Sequence, residues 1–208
     1  MTRTLEIPSE RETLQADLYG ELPARRAAIL VHGDGWDASG WREIAPRFVA
    51  HGVSAIALNL RGYDGSTGAT DRWEGSREWS AVTDLHAAKQ ALRDAGAKEL
   101  ALVGASMGGH AVLASSFEAD AECVVSISAP VVATADELLR RVSGRALFVC
   151  ADQDSLGAWP HVLHAFEVVR GPKTLLAFGG KEHSRGMFAA PYGDEAIGAI
   201  VDFVARGL

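Results

Sequence analysis

Apolar and polar positions divide the chain into segments of two kinds. Strand-length runs that are apolar at consecutive positions occur at AAILVHG (27–33), VSAIALNL (53–60), ELALVGA (99–105), ECVVSIS (122–128), RALFVC (145–150) and KTLLAFG (173–179), each bounded by glycine, charge or proline. Between them, segments 40–51, 77–95, 107–117, 134–141, 159–169 and 193–206 carry apolar residues at helical spacing. A strand that is apolar at successive positions is buried on both faces, the mark of a parallel sheet covered by helices. The alternation therefore predicts the α/β class: a single-domain, doubly wound, mostly parallel sheet with helices on both faces. Ahead of it, TLEIPSE and TLQADLY predict two short strands joined by a turn. The one long segment without clear periodicity is NLRGYDGSTGATDRWEGSRE, 59–78. A loop of that length inside a compact domain is usually functional or mobile, and it is expected near the site.

Composition narrows the picture further. A chain of 208 residues that is 48% hydrophobic suits one sizeable core, so a single domain over 1–208 is expected. The net charge of −7 is spread along the chain with no basic block, which argues against a nucleic-acid partner. The longest apolar runs, such as AAILV and ALFVC, are far shorter than a membrane span, so no membrane partner is expected. The start MTRTLEIPSE lacks the apolar stretch and cleavage site of a secretory signal, and the cytoplasm is the expected location. Cys123 and Cys150 lie inside apolar runs and read as reduced core thiols. The pair in HVLH (161–164) has no third ligand nearby, so no metal is expected. Oligomeric state leaves no mark on the sequence.

Candidate chemistry centres on ALVGASMGGH, 101–110. If the strand ending at 105 turns at once into a helix starting near 107, the corner residue is forced into a strained conformation. Bulky side chains two positions to either side would collide there. Gly104 and Gly108 remove the collision and leave the Ser106 hydroxyl exposed on a sharp turn, the G-x-S-x-G nucleophile elbow. The start of the following helix presents unpaired N–H groups and a positive dipole end, suited to a developing oxyanion.

A serine at neutral pH needs a base that is itself oriented by a carboxylate. His51 lies at a helix end, His86, His161 and His164 fall within helical segments, and His110 is one turn beyond Ser106; these read as surface or core residues. His183 stands in the polar, glycine-rich loop FGGKEHSRG directly after a strand. The preceding strand offers two carboxylates just past its end, Asp152 and Asp154. Asp154 is the better candidate because it lies further along the loop and reaches the next strand's histidine more easily, while Asp152 suits the shaping of the turn.

In this chain order, serine then aspartate then histidine on successive strand ends, the sequence resembles the α/β-hydrolase superfamily over nearly its whole length. The resemblance rests on VHGDG, NLRGYDGS, GASMGG, ADQD and KEHS. It implies Ser106 as nucleophile, His183 as general base and then acid, Asp154 as the orienting acid, and the N–H groups of Asp34 and Met107 as oxyanion hole, with no cofactor. No stretch between 129 and 145 is long enough for the cap domain that many relatives insert. The capless plan is similar to the dienelactone hydrolase-like branch, whose nucleophile is often cysteine; a serine here favours ordinary ester chemistry. Many relatives have aspartate where this chain has Asn59, a position that shapes a loop.

The expected activity is cleavage of a small-molecule carboxylic ester or thioester through an acyl-enzyme. Acyl transfer or perhydrolysis on the same triad is an alternative, as is a catalytically silent protein that binds a small ligand. Two features bear on the substrate. Asp34 and Asp37 flank Trp36, and this loop reads either as a solvated turn or as the receiver of a cationic or donor group. An Asp34 carboxylate turned inward would oppose an oxyanion. Trp36, Trp41, Trp73 and Trp79 lie in or beside the loops bordering the site; they read either as loop packing or, for Trp36 and Trp73 first, as an apolar wall for the substrate.

Overall fold

The structure is a computed structural model that describes residues 3–71, 79–116, 121–131 and 136–208. Eight strands form one sheet: β1 (Arg3–Ser9), β2 (Glu12–Tyr19), β3 (Arg26–Val31), β4 (Ser54–Leu58), β5 (Glu99–Ala105), β6 (Cys123–Ile127), β7 (Arg145–Ala151) and β8 (Lys173–Phe178). Their order is β1-β2-β4-β3-β5-β6-β7-β8. The N-terminal hairpin is antiparallel and β2 also runs antiparallel to β4, while every other pairing is parallel. The helices are α1 (Ala45–Ala50), α2 (Ser80–Asp94), α3 (Met107–Ser115), α4 (Asp136–Leu139), α5 (Trp159–Val168) and α6 (Gly193–Gly207).

The consecutive apolar positions of the strands serve two cores. On one face Ile29, Leu58, Leu102 and Phe148 meet Leu85, Leu92, Val112 and Val162 from α2, α3 and α5. On the other, Leu30, Val103, Val125 and Val149 meet Phe48 of α1 and Ile200 and Val204 of α6. This is the doubly wound α/β fold with helices on both faces and no cap: only residues 128–144 separate β6 from β7. No helix among the described residues is long and apolar enough to cross a membrane.

The chain order reverses between β3 and β5, which lie side by side although β4 intervenes in sequence. A crevice opens at such a switch point, outside the carboxyl ends of the two strands. Those ends carry Asp34 and Ser106.

The predicted elements differ from the observed ones mainly at their boundaries. The helix expected over 40–51 is instead a 3-10 turn, Ala38–Trp41, followed by the short α1. Pro46 explains the break: a continuous helix would need its missing N–H for the carbonyl of Arg42, whereas at the second position of a new helix none is required. The helix expected over 134–141 is the single turn α4, and positions 77–78, 117 and 134–135 of the expected helices lie outside the described residues.

Of the 59–78 loop, residues 72–78 lie outside the described residues, and 59–71 is tied down by backbone bonds. Thr67 N–H donates to the Thr13 carbonyl and Asn59 N–H to the Gln15 carbonyl, so the loop extends the pairing of β2. At its base the fully buried Asp84 on α2 accepts from Arg61 Nη2 at 2.7 Å, Arg61 Nε at 3.0 Å, Arg61 N–H at 2.9 Å and the Ser9 hydroxyl at 2.8 Å. The Arg61 side chain is itself only 13% exposed, unlike the surface pair Arg25–Glu99, whose arginine is 73% exposed. Breaking the buried pair strands a charge, whereas the surface pair is worth under about 1 kcal/mol. Asp84→Ala is expected to lower the urea-unfolding free energy by about 3–5 kcal/mol, and Glu99→Ala by under about 1 kcal/mol.

A second consequence of burial concerns His110 on α3, which is fully enclosed with its ring 5.4 Å from that of Trp79. Desolvation holds this imidazole down at about 4. The unfolded chain takes up a proton at about 6.5, so stability is complete above that pH and is lost as pH falls toward the folded value. His110→Gln is expected to reduce the stability lost between pH 7 and pH 5 by about 2 kcal/mol, measured as urea-unfolding free energies of both proteins at both pH values.

Candidate active site

The local fold at Ser106 follows from close backbone approach. A Cβ on Gly104 would lie 2.1 Å from the Gly108 carbonyl oxygen, and one on Gly108 would lie 2.4 Å from the His32 carbonyl oxygen. Strand β5 thus runs directly into α3, every residue of which is buried. Ser106 at the corner takes φ 53° and ψ −117°, a left-handed conformation that non-glycine residues rarely adopt. Its N–H donates to the Ile127 carbonyl at 2.7 Å, and its carbonyl accepts from His110 N–H at 3.0 Å, which fixes the strained turn from both sides.

The three distant side chains meet in one hydrogen-bonded row. Ser106 Oγ lies 2.8 Å from His183 Nε2. His183 Nδ1 lies 2.9 Å from Asp154 Oδ2 and 3.0 Å from Oδ1. A carboxylate can only accept, so Nδ1 carries the proton and Nε2 offers its lone pair to the serine O–H.

Asp154 is anchored in turn: its Oδ1 accepts from Leu156 N–H at 3.0 Å and Ala158 N–H at 3.3 Å, and Cys150 Sγ lies 3.8 Å from Oδ2. Burial alone would push this carboxyl up. The bond to His183, the attraction that ring exerts once it is protonated, and the two backbone donors outweigh it, and the group sits below the usual carboxylate value. The competing Asp152 is exposed and accepts from Gly180 N–H at 3.1 Å, bracing the neighbouring loop in the turn-shaping role.

His183 is held by residues that the sequence did not single out. Ser128, just past β6, is buried with φ 47°; its hydroxyl accepts from Ser184 N–H at 3.0 Å and donates to Met187 Sδ at 3.3 Å. Both Ser184 and Met187 belong to the 3-10 turn Ser184–Ala189, so this hydroxyl locks the segment that presents the imidazole. His32 is the other omission. Fully buried, it donates from Nδ1 to the Gly33 carbonyl at 2.8 Å and accepts Leu60 N–H at Nε2 at 3.2 Å, and desolvation holds its pKa down. A neutral core histidine of this kind cross-links the loops after β3 and β4. Only its place directly after a buried strand, in VHGDG, signals it in the sequence. Asn59 braces the same loops: its carbonyl oxygen accepts Ala38 N–H at 2.7 Å and its NH2 donates to the Asp64 carbonyl at 2.6 Å. An aspartate could not make the second bond.

A cavity of about 590 Å3 opens over the row, lined among others by Asp34, Trp36, Pro130, Leu156 and Arg185. Trp36 is half-buried and seated against Gly33 and Gly40, where any Cβ would strike the indole. The Arg185 guanidinium stacks over its ring at 5.4 Å. Leu156 is 72% exposed beside the opening. Of the other tryptophans, Trp41 and Trp79 are core residues, and Trp73 lies outside the described residues.

The N–H groups of Asp34 and Met107 have no acceptor among the described residues, Met107 being the first residue of α3. The carboxylates flanking Trp36 are engaged locally: Asp37 Oδ1 caps the 3-10 turn through Ser39 N–H at 2.8 Å, and Asp34 Oδ1 accepts from the Tyr63 hydroxyl at 2.8 Å. No cluster of three or more metal-ligating side chains occurs among the described residues.

Known structures share this architecture. An alpha/beta hydrolase of Penicillium sp. sh18 is 17% identical, with a TM-score of 0.84 over 100% of this chain and 99% of its own. An esterase of Pyrococcus furiosus is 18% identical, with a TM-score of 0.82 over 99% of this chain and 92% of its own. A dienelactone hydrolase of Anabaena variabilis is 19% identical, with a TM-score of 0.79 over 99% and 95% respectively. No curated protein sequence matches the chain. The model of the alpha/beta hydrolase family matches residues 28–206, from the start of the parallel sheet to the last helix, and the chain belongs to that family.

Proposed function

We propose that the protein is a serine hydrolase that cleaves a small carboxylic ester or thioester through an acyl-enzyme intermediate. The observation that carries this reading is the unbroken row from Ser106 Oγ through both nitrogens of His183 to Asp154, with contacts of 2.8 Å and 2.9 Å.

Ser106 Oγ attacks the substrate carbonyl carbon while His183 Nε2 takes the hydroxyl proton. The resulting imidazolium is stabilised by Asp154, whose carboxylate stays ionised. The tetrahedral oxyanion accepts from the N–H groups of Asp34 and Met107, and the dipole of α3 adds to their field. Collapse expels the alcohol or thiol, which leaves with the proton from Nε2. Water then enters, loses a proton to the same nitrogen and attacks the acyl carbon, and the carboxylic acid departs as Ser106 recovers its hydrogen. No cofactor takes part in this sequence.

The cavity suits a small acyl group: its volume lies within the usual range of small-molecule sites, and Trp36, Pro130 and Leu156 offer it apolar surface. The esterase and dienelactone hydrolase structures that resemble this chain point to the same class of chemistry.

A fluorophosphonate probe is expected to label the wild-type protein and not Ser106→Ala, as read by intact mass. An unlabelled wild type would overturn the reading in favour of a silent ligand-binding protein. The choice between the carboxylates is tested separately. Asp154→Asn is expected to lower kcat toward an activated ester by about four orders of magnitude, and Asp152→Asn by less than about tenfold. Equal losses would displace Asp154 from its role.

A further inference from the structure

Asp34 raises a question of sign at the proposed site. Its N–H is one of the two donors assigned to the oxyanion, yet the same residue carries a carboxylate and lines the cavity. A negative side chain beside a developing negative charge, in a partly enclosed site, slows the step that those donors accelerate. Something has to fix where that carboxylate sits.

The contacts single out Tyr63. Its hydroxyl donates to Asp34 Oδ1 at 2.8 Å and lies 3.6 Å from Met107 Sδ, so one phenol touches both residues whose N–H groups are assigned to the oxyanion. Gly35 N–H donates to the same Oδ1 at 3.0 Å. The Tyr63 ring rests on His32 with centroids 4.3 Å apart, and His32 is fixed at both nitrogens. Tyr63 N–H donates to the Leu60 carbonyl, and the loop around it is held by the Arg61–Asp84 pair and by the bonds to β2. The phenol is therefore delivered by a rigid support, the condition for a side chain to impose a geometry on its neighbour. Burial, and then the bond to Asp34, push the Tyr63 hydroxyl pKa up, so it remains a donor throughout the neutral range.

We propose that Tyr63 is a positioning residue whose hydroxyl tethers the Asp34 carboxylate to the 59–71 loop, so that Asp34 gives its N–H to the oxyanion without bringing its charge there. The inference rests on the serine hydrolase reading above. It assigns loop 59–71 a task, control of one charge at the oxyanion, and it explains how an aspartate is tolerated at this position.

The test is a double-mutant cycle of Tyr63→Phe and Asp34→Asn, with kcat and KM measured on an activated ester and the rate of fluorophosphonate labelling as a second readout. Tyr63→Phe keeps the ring on His32 and removes only the hydroxyl. It is expected to lower kcat by about 10- to 100-fold with KM little changed, because the oxyanion exists only in the transition state. In the Asp34→Asn background, where no charge needs tethering, the same substitution is expected to cost at most about threefold. Equal losses in both backgrounds would make Tyr63 a packing residue and overturn the proposal, as would a loss confined to KM. Should Tyr63→Phe fold poorly, Tyr63→His, which keeps a ring donor, is expected to retain more activity than Tyr63→Leu; equal activities would overturn the tether. A wild type that neither turns over ester nor takes the probe at Ser106 removes the hydrolase reading and this inference with it. A reactive wild type with an additive cycle removes the inference alone.

Discussion

The site depends on a near-collision of backbone. Strand β5 turns into α3 so tightly that the Gly104 and Gly108 segments touch, and α3 is pressed against the carbonyls at the end of β3. No side chain fits at either glycine, and Ser106 between them accepts a left-handed conformation as the consequence. This contact sets how far the hydroxyl stands above the sheet, and how close the first turn of α3 lies to the loop after β3. Every other component, the imidazole just ahead of its 3-10 turn and the carboxylate under its two N–H donors, is arranged around a corner whose backbone is fixed.

Strain at this corner is matched by strain nearby. Ser128 and Ser184 also have positive φ, at 47° and 53°, and they are bonded to one another through the Ser128 hydroxyl and the Ser184 N–H. Three serines in unfavourable backbone conformations therefore surround the same row of side chains. Such conformations cost of order 1–3 kcal/mol each and persist only where the surrounding structure over-determines them. Here the two buried cores and the bonds to Ile127 and Val149 supply that determination.

Much of this was legible in the sequence because the signals are local. Short runs of consecutive apolar residues such as AAILV or ALFVC, bounded by charged or polar residues, suit strands buried on both faces, and Gly-Ala-Ser-Met-Gly marks a turn that bulkier residues would not allow. His183 and the competing pair Asp152 and Asp154 stand as polar residues shortly after apolar strands, and reach along the loop favours Asp154 of the two. What the sequence hides is tertiary. His32 forms both of its bonds with backbone, one of them across to the β4 loop, and a neutral imidazole in the core has no distinguishing neighbours in sequence. Ser128 matters only because β6 and the 3-10 turn after His183 come together. The break ahead of α1 was written in Pro46 but masked by the helical spacing around it. Trp36 and Trp41 have the same sequence signature, and only packing makes one a cavity wall and the other a core residue.

The antiparallel hairpin β1–β2 sits at the edge of the sheet, separated by β4 and β3 from the strand that carries Ser106. Yet β2 provides the backbone ladder onto which loop 59–71 is stitched, through Thr13 and Gln15. The periphery of the molecule therefore holds in register the loop whose Tyr63 bonds to Asp34 at the cavity. Fraying of that edge would open one core, through Ile7, Leu14, Ala16 and Leu18, and release the loop that carries Tyr63 in the same event, so the integrity of the N-terminal strands and the setting of the candidate site are mechanically one property.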